Sequence, residues 1–161
     1  MTGQPQPILI AERRARVRRI TATGRTLGFV GGIEYRHVYS QSGGAQYCIG
    51  PTADDDIMVV YAEAFERDAE QDDFRLEAII AHECGHQRLK RDPKLQLLMA
   101  TFPAEFEEIL ASLVGSLIVG DPELSATLVW KAAMELGNLR VKPESTAMFI
   151  DRTRSLLRHF L

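Results

Sequence analysis

The chain has 161 residues, of which 45% are hydrophobic, and its formal net charge is -3. This length predicts one domain, residues 1–161, with a single buried core. The slightly acidic balance argues against a general nucleic-acid-binding protein, and no apolar run is long enough to predict a membrane span. Two cysteines without a disulfide pattern, and an N-terminus without a signal peptide, favour a cytoplasmic location.

The first part of the chain predicts one helix and a small sheet. Residues 8–20 favour a helix, although alternation at 16–18 also fits a strand. Segments rich in β-branched and aromatic residues predict three strands, at 27–39, 45–49 and 57–61. A hairpin loop at residues 40–44 is expected to join the first two strands.

Charge is distributed unevenly along the chain. Six arginines cluster between residues 13 and 25, and acidic residues are frequent between 54 and 77. An acidic partner or nucleic acid is one explanation for the arginines, but pairing with the acidic segment or simple solvation is favoured. We see no helix-turn-helix or zinc-finger pattern around them.

A His-Glu-x-x-His motif is formed by His82, Glu83 and His86. The surrounding residues predict a helix from 73 to 90, with an N-cap at Asp72 or Asp73 and a stop at residues 92–93. On a helix the two histidines lie one turn apart on one face, as zinc ligands do. Glu83 is rotated away from them, so it can act as general base on a metal-activated water.

The alternative is that these two histidines only form hydrogen bonds on a helix face. A catalytic zinc ion usually has three protein ligands, so a third residue is needed. Of the other histidines, His37 is expected to be a hydrogen-bonded sheet residue and His159 an exposed residue at a helix end. Cys84 points away from both motif histidines and is expected to pack in the core.

The third ligand is sought in a helix predicted at residues 103–120. Glu108 shares one face of this helix with small residues, which would permit a close approach to the motif helix near Gly85. Glu105 and Glu107 lie nearer the helix start or on its flank and are interpreted as acids that complement the helix dipole. Glu108 is open to the same interpretation.

Two further helices are predicted, from residue 122 to about 137 and from 143 to near 161, each opened by proline. The expected fold class is α+β: a small antiparallel sheet packed beside a bundle of four or five helices, with the metal between two of them.

The motif and the Glu108 helix together resemble the gluzincin metallopeptidases, and more narrowly those of the ImmA/IrrE type. That family has an H-E-x-G-H motif followed by a buried helix of the form E-x-x-A-(N/D)-x-x-(A/G)-x-x-L-L, a frame that residues 108–119 fit with Glu108 in the ligand position. Ser112 stands where the family has Asn or Asp, a residue that can orient a ligand histidine. The resemblance covers residues 57–121 and implies a zincin-like fold.

The resulting hypothesis is a Zn2+-dependent peptidase in which His82, His86 and Glu108 hold the metal and Glu83 is the catalytic base. The substrate would be a protein or peptide, and the family resemblance suggests a regulatory protein. An extended substrate is expected to pair with strand 57–61. No tyrosine follows Tyr61, so the second electrophile is undecided among Arg140, Arg152 and His159.

Two alternatives remain from the sequence. One is a non-catalytic regulatory or binding protein that keeps the metallopeptidase fold, which the missing electrophile and Ser112 favour. The other is a structural helical protein in which the motif arose by chance.

Overall fold

The computed structural model describes residues 3–40, 43–69 and 75–161. Three strands are present in these ranges: β1 (Gly32–Arg36), β2 (Ala45–Cys48) and β3 (Ile57–Tyr61). The seven α-helices are α1 (Ile10–Thr26), α2 (Ala62–Ala69), α3 (Leu76–Arg91), α4 (Pro93–Met99), α5 (Glu107–Ile118), α6 (Pro122–Asn138) and α7 (Pro143–Arg158). The α+β class is therefore confirmed.

The sheet is mixed, so the prediction of an antiparallel sheet is wrong. Its strand order is β1-β3-β2, in which β3 pairs in parallel with β1 and antiparallel with β2. The predicted hairpin between the first two strands is therefore also wrong, and part of its loop, residues 41–42, lies outside the described residues. The physical reason is the composition of β3: Met58, Val59 and Val60 are at most 1% exposed, and a continuous apolar run suits a central strand.

The central position of β3 excludes the expected pairing of a substrate with this strand. Both of its edges already bond to neighbouring strands. Within the described sheet, β2 has a strand on one side only, so its other edge has backbone groups that are not used by the sheet.

The helices outnumber the predicted four or five. An additional helix, α2, follows β3 directly. Asp92 ends α3, as expected, but also starts α4 by accepting a hydrogen bond of 2.9 Å from the backbone nitrogen of Lys94, with Pro93 in the first turn. The predicted N-cap at Asp72 or Asp73 lies outside the described residues; Arg75 precedes α3 as its N-cap.

Helix α3 is buried between two hydrophobic clusters. One cluster joins its residues Leu76, Ile79, Ile80 and Cys84 to the sheet. The other joins Leu89 to the helices that follow, through residues such as Leu95, Leu110, Leu113 and Leu136. Packing on both sides fixes the position of the motif helix, and the burial of Cys84 agrees with its expected packing role.

The arginine cluster on α1 is partly paired. Arg19 lies 2.9 Å from Asp68 and 2.8 Å from Glu77, as the favoured interpretation of the sequence expects. Arg25 donates to the backbone carbonyl oxygens of Phe29 and Gly31. Among the described helices, none combines the length and hydropathy that a membrane span requires.

Candidate metal centre

Two glycines bring α3 and α5 into backbone contact. A Cβ atom added at Gly85 would lie 2.1 Å from the carbonyl oxygen of Ala111, and one added at Gly115 would lie 2.9 Å from that of Ala81. The helices can approach this closely only because both positions lack a side chain. The close contact places the first turn of α5 opposite the two motif histidines.

The side chains of His82, His86 and Glu108 converge at this contact. The Nε2 atoms of the two histidines are 3.1 Å apart, and Glu108 Oε2 lies 2.8 Å from that of His82 and 3.3 Å from that of His86. The histidines are 3% and 7% exposed, whereas Glu108 is exposed. Helical phase had selected Glu108 for this position, and the structure brings all three predicted residues together.

These three atoms fit a metal ion. Ligands of a tetrahedral ion with bonds of about 2.0–2.1 Å lie about 3.3–3.4 Å apart. The observed separations of 2.8, 3.1 and 3.3 Å are close to that spacing. Two imidazole nitrogens and one carboxylate oxygen are donors typical of zinc and related divalent metals, so the group could hold such an ion.

Each histidine is held by a second hydrogen bond through its Nδ1 atom. His82 Nδ1 lies 2.8 Å from Ser112 Oγ, so serine takes the orienting position expected of Asn or Asp. His86 Nδ1 lies 3.0 Å from Glu107 Oε2, and Glu107 Oε1 lies 2.7 Å from Lys90 Nζ. Hydrogen on Nε2 allows each ring to donate to Glu108, whereas with a metal ion bound, hydrogen on Nδ1 would leave Nε2 unprotonated as the ligand atom.

The ionisation of the three residues follows from burial and from their contacts. Burial lowers the pKa of His82 to about 4, despite its hydrogen bond to Glu108. Burial would also lower the pKa of His86, but its hydrogen bond to Glu108 and the surrounding negative charges raise it. Hydrogen bonds from both histidines hold the pKa of Glu108 well below its usual range. A metal ion bound to these atoms would therefore compete with a proton.

Glu83 lies beside the group and lines the same cavity, which measures about 290 Å³. Its side chain does not belong to the converging triad. It is 8% exposed, and burial raises its pKa to about 7. Strand β2 forms one wall of the cavity through Ala45, Gln46 and Tyr47.

The cavity also contains residues that the sequence did not single out. Lys90 and Glu107 line it, and Lys131 reaches it from α6. Burial lowers the pKa of Lys131, while the charges of Glu108 and Glu83 oppose that effect. The position of Glu107 opposite His86 depends on the angle between two helices, and that of Lys131 on a third helix, so a motif search along one helix could not find either.

The electrophiles proposed from the sequence lie elsewhere. None of Arg140, Arg152 and His159 lines the cavity as described, and all three side chains are exposed. His37 lies one residue beyond β1 and so is not the sheet residue that was expected, but it is hydrogen-bonded, as expected, to the Tyr35 hydroxyl at 2.7 Å and to the backbone carbonyl oxygen of Gln6 at 2.6 Å.

A buried aspartate anchors α3 to the sheet. Asp56, which is 0% exposed and directly precedes β3, accepts hydrogen bonds from the Tyr47 hydroxyl at 2.7 Å and from Gln87 Nε2 at 3.0 Å. Arg91 forms an ion pair with the same carboxylate at 2.5 Å. Since Gln87 follows His86 and Tyr47 lines the cavity, this network fixes the cavity wall relative to the histidines.

Comparisons with protein-family models, with curated proteins and with solved structures found no match to this chain.

Proposed function

We propose that this protein is a zinc-dependent peptidase with a zincin-like fold, of the gluzincin type and similar to the ImmA/IrrE peptidases. The observation that carries the proposal is the convergence of His82, His86 and Glu108 on one side of a cavity that Glu83 also lines. Three protein ligands leave a coordination position open, as catalytic zinc sites do.

Each residue has a defined task in peptide hydrolysis. When bound, zinc acts as a Lewis acid and lowers the pKa of water. Glu83 takes a proton from the attacking water as its oxygen forms a bond to the peptide carbonyl carbon, and the electron pair of the C=O bond moves to the carbonyl oxygen. The C–N bond then breaks, the amine receives the proton from Glu83, and the products are a carboxylic acid and an amine.

The expected substrate is an extended segment of a protein or peptide. Ala45, Gln46 and Tyr47 of β2 line the cavity, and the edge of β2 that faces away from β3 can accept another strand by backbone hydrogen bonds. Pairing along β2 would carry a peptide bond past Glu83. The family resemblance suggests that the substrate is a regulatory protein.

The test is to incubate zinc-loaded protein with a proteome-derived peptide library and to detect new peptide ends by mass spectrometry. We expect Glu83→Gln to retain one zinc per chain and to lower cleavage at least about 100-fold, because an amide cannot accept the proton. Equal cleavage by the variant and the wild type would contradict the assignment of Glu83.

Matched variants separate metal binding from catalysis. Glu108→Ala should lower zinc content in elemental analysis, whereas Glu105→Ala should leave zinc content and cleavage unchanged, because Glu105 is exposed and does not line the cavity. Full zinc binding by Glu108→Ala would exclude Glu108 as the third ligand.

A second candidate is a regulatory or binding protein that keeps the metal site without turnover. The hydrogen bonding of Tyr47 favours this candidate. Tyr47 lines the cavity, but its hydroxyl donates to Asp56 and is therefore not directed at a substrate. The same experiment distinguishes the two: zinc binding without cleavage of any library peptide by the wild type would support the binding protein.

A further inference from the structure

Lys131 is placed in the cavity by the packing of its own helix. Its neighbours Leu128 and Ala132 on α6 are 0% exposed, so the backbone of this helix is fixed against the core. From there the side chain reaches the cavity that Glu83, His82 and His86 line. A long flexible stem with three donor hydrogens can direct its charge into the cavity without movement of the helix.

Among the described residues that line the cavity, the charged groups are three carboxylates and two ammonium groups. Glu83, Glu107 and Glu108 supply the negative charges, and Lys90 and Lys131 the positive ones. Lys90 lies 2.7 Å from Glu107, so this ion pair is neutral. The charges of Glu108, Glu83 and Glu135 favour the charged form of Lys131 and so oppose the lowering of its pKa by burial. On the charges of these described residues, a divalent ion beside the histidines would bring their sum to +1, which favours binding of one additional negative charge.

We propose that Lys131 donates a hydrogen bond to the carbonyl oxygen of the scissile peptide as that oxygen becomes negatively charged. The inference rests on the proposed peptidase function and supplies the electrophile that the sequence did not identify. A positioned cation in a partly buried site stabilises such a charge more strongly than water does, because it requires no reorientation as the charge develops.

The same ammonium group could instead recognise the free carboxylate at the end of a substrate. The reacting oxygen is favoured because Lys131 lines the same cavity as the proposed base, Glu83, and the proposed ligand Glu108. The two roles predict different results when the lysine charge is removed. A role at the reacting oxygen weakens binding of every ligand that carries an anion at that position, whereas a role at the substrate end weakens only ligands that carry a free terminal carboxylate.

The experiment measures binding of two N-phosphoryl dipeptides to zinc-loaded protein by isothermal titration calorimetry. The anionic phosphoryl group resembles the tetrahedral species formed during hydrolysis, and the two probes differ only in a C-terminal amide or a free carboxylate. Lys131→Met removes the charge and keeps the length of the side chain, and Lys131→Arg keeps the charge. Lys94→Met is the matched control, because Lys94 is exposed and lies outside the cavity lining.

We expect Lys131→Met to weaken both phosphoryl probes about 10- to 100-fold, in keeping with the loss of one donor to a developing oxyanion. Lys131→Arg should lose less affinity for the probes than Lys131→Met, and Lys94→Met should bind them as tightly as the wild type. All variants should keep the wild-type zinc content. Loss of zinc from Lys131→Met would overturn the proposal by showing a role in the metal site.

Equal binding by the wild type and Lys131→Met, or failure of the zinc-loaded wild type to bind either probe, would also overturn it. A loss confined to the probe with a free carboxylate would assign Lys131 to substrate ends instead. If the wild type binds the amidated probe through Lys131 but cleaves no peptide, the proposed peptidase function fails, the role at a scissile carbonyl fails with it, and Lys131 is left as a residue that binds an anion beside the metal site.

Discussion

Glu107 is the first residue of α5, and its two carboxylate oxygens contact different partners. Oε2 lies 3.0 Å from His86 Nδ1, and Oε1 lies 2.7 Å from Lys90 Nζ. An acid at this position also complements the helix dipole, which is the role that the sequence suggested. The structure adds a second role, in which the carboxylate fixes the ring of His86 and increases the basicity of its Nε2 atom.

Glu107→Gln should therefore weaken zinc binding about 10- to 100-fold, the range typical of residues that orient a metal ligand. The amide oxygen can still accept a hydrogen bond from Nδ1, but the negative charge is lost. A competition titration against a chromophoric chelator measures the effect, and Glu105→Gln is the control. Unchanged affinity in Glu107→Gln would show that its contact with His86 does not influence the metal.

Individual site residues were predictable where their positions depend on the geometry of a single helix. The spacing of His82 and His86, and the phase of Glu108 and Ser112 on α5, depend only on helical geometry, and the structure brings these four residues together. Whether they bind zinc stays a prediction. Glu107 was assigned only half of its role, because phase along α5 does not reveal where the Nδ1 atom of a histidine on another helix lies.

At the scale of elements, the contact between α3 and α5 determines the geometry of the site. Gly85→Ala would place a Cβ atom 2.1 Å from a backbone carbonyl oxygen, which cannot move without shifting α5. We expect a loss of about 1–3 kcal/mol in the free energy of unfolding, as for other overpacked cores. Zinc affinity should fall with it, because Glu108 would move away from the histidines.

Gly137→Ala is the matched control for this prediction. Gly137 lies in α6, and a Cβ atom there would meet nothing within 4 Å. Because Gly137 is in the last turn of α6, alanine there should stabilise the protein by at most about 0.5–1 kcal/mol and should not destabilise it. Urea unfolding of both variants provides the measurement. Stabilisation by Gly85→Ala as well would mean that the two helices can separate at no cost.

The elements themselves were mostly predicted, but their arrangement was not. Runs of β-branched residues located all three strands, and proline and glycine located α5, α6 and α7. The strand order was wrong because local patterns favour pairing between neighbours in sequence, whereas burial of β3 on both faces placed it in the centre. The start of α4 was missed because Asp92 and Pro93 end one helix and begin the next.

At the scale of the whole molecule, Asp56 links acid stability to the position of α3. Burial alone would raise the pKa of this carboxyl, but hydrogen bonds from Arg91, Gln87 and other donors hold it well below its usual range. Its stabilising effect is therefore complete above the unfolded pKa of about 3.9 and is lost as pH falls below that value toward the folded pKa.

Asp56→Asn should lower the free energy of unfolding at pH 7 by about 1–3 kcal/mol, because Arg91, Gln87 and Tyr47 lose a buried charged acceptor. The substitution should also make the free energy of unfolding less dependent on pH below about 4, since it removes a carboxyl group whose pKa is lowered in the folded state. Urea unfolding between pH 7 and pH 2 measures both effects. Asp54→Asn, at an exposed position in the same turn, is the control, and an equal pH dependence in wild type and Asp56→Asn would contradict the linkage.

Removal of metal should lower stability without unfolding the protein. The helices around the site have a hydrophobic core that does not depend on the ion. Its residues Leu110, Leu113 and Leu136 are at most 1% exposed. Loss of a metal present at a hundred times its Kd costs about 2.7 kcal/mol. Far-ultraviolet circular dichroism should keep its helical signal after chelation while Tm falls. Loss of most of that signal would make the metal structural.

The strand order has a consequence for synthesis of the chain. β1 and β2 are made first, yet within the described sheet each bonds only to β3. At about 5–20 residues per second, the ribosome needs about one to three seconds after β2 to reach the end of β3. During that interval neither β1 nor β2 has its partner strand, so the three-stranded sheet can form only after β3 has been made.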